Sequence, residues 1–220
     1  MPNTQPAPLW RVFDAAWYRT TYKTVLGSAL TLPDAALKLW YDTQGAYSGH
    51  SPNRYFDEEW YRLNCAEAFE GITNRLYRSG FEHYCQRGFK TQAPHYLFSE
   101  RYYMQHTPEL TPTTLATQGY VNGYDHYLRT GDHNNRSGHV FFNPALYLRN
   151  RPKLVELEHL PPFQHLLHMS RTLPDRIALS EQFDPLWYGT LNPEALRTVQ
   201  AGYSPNMLFS FLSRFTPNAF

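Results

Sequence analysis

Five times along the chain a phenylalanine is followed by a small polar residue and then, four positions beyond that residue, by a tyrosine. The copies are Phe13-Asp14 with Tyr18, Phe56-Asp57 with Tyr61, Phe98-Ser99 with Tyr103, Phe142-Asn143 with Tyr147 and Phe183-Asp184 with Tyr188. Their spacings of 43, 42, 44 and 41 residues fall in the range that marks tandem repeats. Asp, Ser and Asn are the residue types whose side-chain oxygen accepts the unpaired amides at a helix start. With that residue as N-cap, the phenylalanine and the tyrosine occupy the two positions of a hydrophobic staple. Each copy therefore predicts the first turn of a helix. Pro144 and Pro185 fall at the first helical position, where a missing amide costs nothing, while Glu58, Glu59 and Glu100 place negative charge where the helix dipole favours it. Phe13, Trp17, Phe56, Trp60, Phe98, Phe142, Phe183 and Trp187 are read as structural repeat positions, with Trp60 in the core.

A second pattern follows each first helix. Leu37, Trp40 and Tyr41 give the three-and-four spacing of an apolar helical face over 34–41, ending at Gly45 ahead of a polar loop at 46–55. In the next two copies Tyr77 to Gly88 aligns without a gap with Tyr120 to Gly131, through the shared dipeptides His83-Tyr84 and His126-Tyr127. A helix over these residues would start near Gly80 and Gly123. It would close at Gly88 and Gly131 as C′ glycines with positive φ, with Arg87 and Arg129 near the negative end of the dipole. Pro108, Pro152 and Pro193, each ten residues beyond a motif phenylalanine, stop the first helix after about two turns, and a further helical turn is expected after them. In the fourth copy Leu167-His168 stands where His-Tyr is expected and Thr172 where the glycine should be. The fifth offers Ser210-Phe211, then Phe215 in place of glycine. The expectation is an all-α protein: an N-terminal arm at 1–12, then one domain at 13–220 in which five helix-pair repeats form a short curved solenoid-like array.

Composition narrows the function classes. The chain has 220 residues, 42% of them hydrophobic, so a sizeable core is affordable. Twenty Lys and Arg against 19 Asp and Glu leave a formal charge of +1, which creates no field to recruit nucleic acid or an anionic membrane. Most of the 17 tyrosines and 14 phenylalanines are assigned to the motif rather than to a binding stripe. Met1 to Trp10 shows no signal-peptide pattern and no stretch approaches the roughly 18 apolar residues of a membrane span. Cytoplasmic residence is the default, with export lacking an N-terminal signal, or incorporation into an extracellular particle, left open. Cys65 and Cys85 fall in one copy, where antiparallel helices would bring them near each other; reduced thiols are the expectation and pairing stays open.

The assembled unit, F-[D/N/S]-x-x-[W/Y/L]-Y, then P-[D/E/K], then H-Y-x-x-x-G, resembles a tandem repeat of about forty residues found in bacterial proteins beside surface-polysaccharide glycosyltransferases and in secreted calcium-binding or haemolysin-like proteins. The matching residues are Phe183 to Tyr188 with Asn192-Pro193-Glu194, and His126 to Gly131 with Arg136. The resemblance runs from Phe13 to Phe220 and implies an association with polysaccharide systems, but no activity. No copy carries the family's full Glu-Gly-Arg tripeptide. If its arginine anchors the loop to a neighbouring carboxylate, Arg136 and Arg176 would keep the contact and His50 would keep it in part.

No residue is put forward as catalytic, and no cofactor or metal is expected. HExxH, G-x-S-x-G, P-loop and dinucleotide patterns are all missing from the sequence. His165 with His168, and His126, His133 and His139 with Asp125 and Asp132, were the metal-ligand clusters to weigh. His83 and His126 are better read as repeat positions bonding a neighbouring backbone carbonyl or carboxylate. Repeat arrays are suited to binding, so an adaptor or structural subunit with protein partners is the first reading. A lectin-like protein recognising a cell-surface polysaccharide is the second, and a metal-dependent or other enzyme the third. The candidate ligand residues are the non-consensus polar loop positions Tyr47, His50, Asn53, Arg54, Asp132, His133, Asn134, Asn135 and Arg136; the competing view is that they are simply solvated loop residues.

Overall fold

The computed structural model describes residues 6–169 and 173–214, whose regular structure is helical, as an all-α chain requires. Thirteen α-helices, none longer than eight residues, follow in order: α1 Ala15–Thr21, α2 Asp34–Trp40, α3 Glu58–Asn64, α4 Ala66–Thr73, α5 Gly80–Gln86, α6 Glu100–Gln105, α7 Pro112–Thr117, α8 Gly123–His126, α9 Pro144–Asn150, α10 Pro162–His168, α11 Pro185–Leu191, α12 Pro193–Gln200 and α13 Met207–Leu212. The described residues contain no β-strand, only isolated bridges at His139–Phe142 and Ser180–Phe183. The chain divides into two compact units, Met1–His95 and Tyr96–Phe220.

All five predicted N-caps form. Asp14, Asp57 and Ser99 each accept the amide three residues on, and Asn143 and Asp184 each accept two first-turn amides. Each such cap is worth about 1 kcal/mol. The staples close as well, with Phe–Tyr ring centroids 5.1, 5.1, 5.8, 5.7 and 5.4 Å apart in chain order. Helices this short are not stable on their own; burial of the staple holds them. Tyr18, Tyr61, Tyr103 and Tyr147 are fully buried, as are Phe56, Phe98 and Phe142. The third aromatic of the motif behaves differently. Trp17 and Trp60 are only partly buried and Trp187 is exposed, so Trp60 lies at the edge of the core rather than within it.

The segment after each first helix is more helical than one added turn. It forms α4, α7 and α12 in the second, third and fifth copies, and each of these ends on a left-handed residue, Arg75, Gly119 or Gly202. There the following amide reaches back to Gly71, Leu115 or Thr198, the pattern of a Schellman turn.

The glycines predicted to be left-handed are not. Gly131 has φ −63° and Gly88 is outside the positive-φ positions, as is Gly45, for which only a helix end was expected. Their reason is space. A Cβ at Gly45, Gly88 or Gly131 would run into the hydroxyl of Tyr18, Tyr61 or Tyr103 respectively, so the staple tyrosine of each copy drives its tip against the bare backbone of the second segment. In the first and third copies that backbone widens into a π-helical turn, Tyr41–Gly45 and Tyr127–Gly131. Thr172 and Phe215, the residues expected to replace this glycine, lie outside the described residues.

Candidate functional site

Two polar devices recur where a first helix meets the rest of its copy, each in four of the five copies. In the first, the buried tyrosine hydroxyl is hydrogen-bonded to a histidine Nδ1: Tyr18 to His50 at 2.6 Å, Tyr61 to His83 at 2.8 Å, Tyr103 to His126 at 2.7 Å and Tyr147 to His165 at 2.7 Å. The histidine Nδ1 therefore meets a tyrosine hydroxyl and not the carbonyl or carboxylate expected from the sequence, although His83 Nε2 also lies 3.6 Å from the Glu67 carboxylate. The fourth copy is also corrected, since His165, not His168, takes the position; His168 bonds the Gln164 carbonyl at 2.8 Å. Burial holds His50, His126 and His165 below the ordinary imidazole value and raises Tyr18, Tyr61, Tyr103 and Tyr147 above the ordinary phenol value. The Tyr61, Tyr103 and Tyr147 bonds are buried and the Tyr18 bond is partly buried.

The second device is a carboxylate that receives the first amides of the second helix. Glu58, fully buried, accepts from Gly80 at 2.6 Å and Phe81 at 2.9 Å while Arg62 pairs with it at 2.5 Å. Glu100 likewise accepts from Gly123 at 2.7 Å and from Tyr124. Where proline occupies the first helical position, an aspartate from an earlier segment substitutes. Asp132 accepts from Phe163 at 2.8 Å and Gln164 at 2.9 Å, and Asp175 accepts from Met207 at 2.7 Å. Burial pushes Asp132 up to about 7, against the pull of its two amides, and raises Glu58, Glu100 and Asp175.

The sequence reading missed this device, taking Glu58 and Glu100 for simple dipole partners. Its signal was present: Glu at the motif's first helical position co-occurs with Gly80 or Gly123, whereas Pro144 and Pro185 co-occur with Pro162 and Met207. The glycine is needed because a Cβ at Gly123 would stand 2.5 Å from Glu100 Oε1, and one at Gly80 would stand 2.7 Å from Tyr61 Cδ1.

The nine loop candidates divide by the same logic. Asn53 is buried; its amide donates to the carbonyls of Trp10 at 2.8 Å and Val12 at 2.9 Å, and its Oδ1 accepts the amides of Tyr55 and Phe56. Arg54 pairs with Asp14 at 3.0 Å and Arg136 with Glu109 at 2.6 Å. The loop arginine thus does anchor on a carboxylate in the third copy. His50, at the corresponding loop position, turns inward onto Tyr18 and stacks on Tyr22 with centroids 3.9 Å apart. Arg176 makes no ion pair among the described residues. Asn53, Asp132 and His50 are thereby explained as parts of the framework. Tyr47, His133, Asn134 and Asn135 face solvent, with Asn135 left-handed at φ 55°. The two loops belong to different compact units, Tyr47 to Arg54 in one and Asp132 to Arg136 in the other.

The described residues hold no group of three or more His, Cys, Asp or Glu side chains arranged for a metal ion. His126 is committed to Tyr103, Asp125 to Arg129 at 2.8 Å and Asp132 to the α10 amides. Cys65 and Cys85 are both free; Cys65 is buried, and burial pushes the Cys85 thiol up to about 12, far from the thiolate that a nucleophile requires.

Exposed large apolar side chains lie along the chain, among them Leu39, Leu63, Phe69, Leu76 and Val155, and α11 carries three. Leu186, Trp187 and Leu191 of α11 project to solvent with Leu196 of α12 and Tyr203. No described helix is long and apolar enough to cross a membrane. Comparison of the chain with family models, with curated proteins and with solved structures yields no match.

Proposed function

We propose that the protein is a non-catalytic binding or assembly module, an adaptor or structural subunit built as a curved array of tandem helical repeats, acting in a bacterial envelope-polysaccharide context. The observation that carries the binding role is a division of labour among side chains. The titratable groups that would serve chemistry are spent on the framework, while Leu186, Trp187 and Leu191 stand exposed on one helix. Large apolar side chains exposed together on one helix suit contact with another macromolecule. The polysaccharide context rests on the motif resemblance alone. The test is a native pull-down with mass measurement from the producing cells: a stoichiometric complex that is lost in Trp187→Asp supports the reading, and a monomer with no retained partner defeats it.

A lectin-like role is the second reading, favoured by the solvent-facing Tyr47, His133, Asn134 and Asn135, whose ring and amides suit sugar faces and hydroxyls. Binding to the producer's own polysaccharide that Tyr47→Ala or Asn134→Ala abolishes would favour it, and flat binding across a glycan array would remove it.

A further inference from the structure

The dipeptide Asn-Gly occurs once in the chain, at Asn122-Gly123. In this pair the asparagine amide is most open to attack by the next backbone nitrogen, because glycine puts no side chain in the way. Asn122 stands in the third copy where Ser79 stands in the second and Asn206 in the fifth. All three are extended, with φ and ψ of −162° and −179° at Asn122, −156° and 165° at Ser79 and −169° and 172° at Asn206, and each side chain accepts the amide three residues on. Serine caps as well as asparagine does, so capping alone does not call for the reactive pair.

The structure holds both reacting atoms apart. Gly123 donates its amide to Glu100 Oε1 at 2.7 Å, as Gly80 donates to Glu58 and Met207 to Asp175. Asn122 Oδ1 meanwhile accepts the Asp125 amide at 2.8 Å. Ring closure between the two residues needs the Asn122 Cβ and the Gly123 nitrogen eclipsed about the Cα–C bond, and at ψ −179° they are gauche. Closure also needs the Gly123 nitrogen stripped of the proton that it shares with Glu100, at a place where Asn122 is only 7% exposed.

We propose that Asn122 is a self-modification site that the fold keeps shut and that opens with the Glu100 contact. Once that contact opens locally, hydroxide takes the Gly123 amide proton and the nitrogen attacks Asn122 Cγ. The new N–Cγ bond closes a succinimide as the Cγ–Nδ2 bond breaks; the nitrogen leaves as ammonia, taking its last proton from water and restoring the hydroxide. Water then opens the ring at either carbonyl, leaving aspartate or isoaspartate at position 122. Isoaspartate adds a carbon to the main chain before Gly123, so the cap and the Glu100 contact do not both re-form. Aspartate brings a charge to a buried position, which is unfavourable. The conversion therefore records an opening of the contact and prevents its closing, and none of this depends on the binding role proposed above.

The test follows position 122 by peptide mapping and mass spectrometry in mildly alkaline buffer, for the native chain, the same chain in urea, Glu100→Ala and Asn122→Ser. Asn122 should convert at least tenfold more slowly in the native chain than in urea, and Glu100→Ala, checked as helical by circular dichroism, should convert several-fold faster than the native chain. Equal rates in the native chain and in urea overturn the proposal. So does an unchanged or slower rate in Glu100→Ala, which would make Glu100 a bystander or a base that assists the attack. Should Glu100→Ala fail to fold, the unaltered chain decides: in low urea, conversion should rise in step with hydrogen exchange of the Gly123 amide, and a rate indifferent to that exchange refutes the gate. Chains converted in urea and returned to buffer should lose exchange protection at Gly123 and Tyr124, whereas Asn122→Ser treated in the same way recovers it. Full recovery by the converted chains removes the one-way step.

Discussion

The third and fifth copies of the motif start alike and finish differently. Both open with an N-cap and a closed Phe–Tyr staple. In the third copy, Tyr103 finds His126, Glu100 receives the α8 amides, Arg136 holds Glu109 and the Gly138 carbonyl takes the Ser99 amide. In the fifth, Ser210 stands where the histidine should be, and the Tyr188 hydroxyl is buried without a partner among the described residues. Asp175 supplies one acceptor in place of Glu100's two, and Trp187 is exposed. The motif alone thus sets the first helix, whereas the fit between first helix and second segment depends on side chains well outside it.

The contrast is broken most strongly at the staple. Tyr103→Ala should lose about 3–5 kcal/mol, as for a fully buried aromatic, whereas Tyr188→Ala and the edge position Trp60→Ala should each lose clearly less; urea denaturation of the three variants orders them. An equal loss in all three would mean that the motif positions are interchangeable. Next in size is Gly131→Ala, whose methyl group meets the Tyr103 hydroxyl and should destabilise by about 1–3 kcal/mol. Adding Tyr103→Phe removes the obstructing oxygen, so the double variant should be less destabilised than the sum of the single changes. Additive losses would point to backbone strain at Gly131 instead.

The pH dependence separates the two polar devices. Asp132 is raised to about 7, so the native state holds its proton more tightly than the unfolded chain. Its contribution is fully present below the ordinary carboxylate value near 4 and is lost as pH rises to about 7, roughly 1–3 kcal/mol in all. Asp132→Asn should flatten that slope. His126 is held below the ordinary imidazole value, so its contribution has the opposite sign: it is present above about 6.5 and lost as pH falls below it. Stability measured by urea from pH 4 to 8 for Asp132→Asn and His126→Gln tests both signs. The smallest change is Ser210→His, which offers Tyr188 the partner found in the other copies and should gain about 1 kcal/mol, read as a shift in the urea midpoint.

Much of the fold was legible because it is local. An N-cap acts within three residues and a staple within five, so Asp57, Phe56 and Tyr61 could be assigned from spacing alone, and α3 and α6 start where that spacing places them. The roles of Glu58, His83 and Gly88 were not legible, because each depends on an atom more than twenty residues away in the chain. Gly88 is glycine because of the Tyr61 hydroxyl, and His83 is oriented by the same oxygen. Among the loop candidates, polarity singled out Asn53 and Asp132 as readily as Asn134, although the first two are buried fasteners and the last faces solvent.

The sequence by itself determined where each first helix begins, which aromatic pair clamps it, and that the chain is built from short helices, since caps and staples operate through neighbours already fixed by the covalent chain. Only the tertiary structure decided which polar residues are used up inside and which remain outside. A carboxylate or histidine finds its partner across the packed interface, and burial in a low-dielectric surrounding leaves it no alternative to that partner.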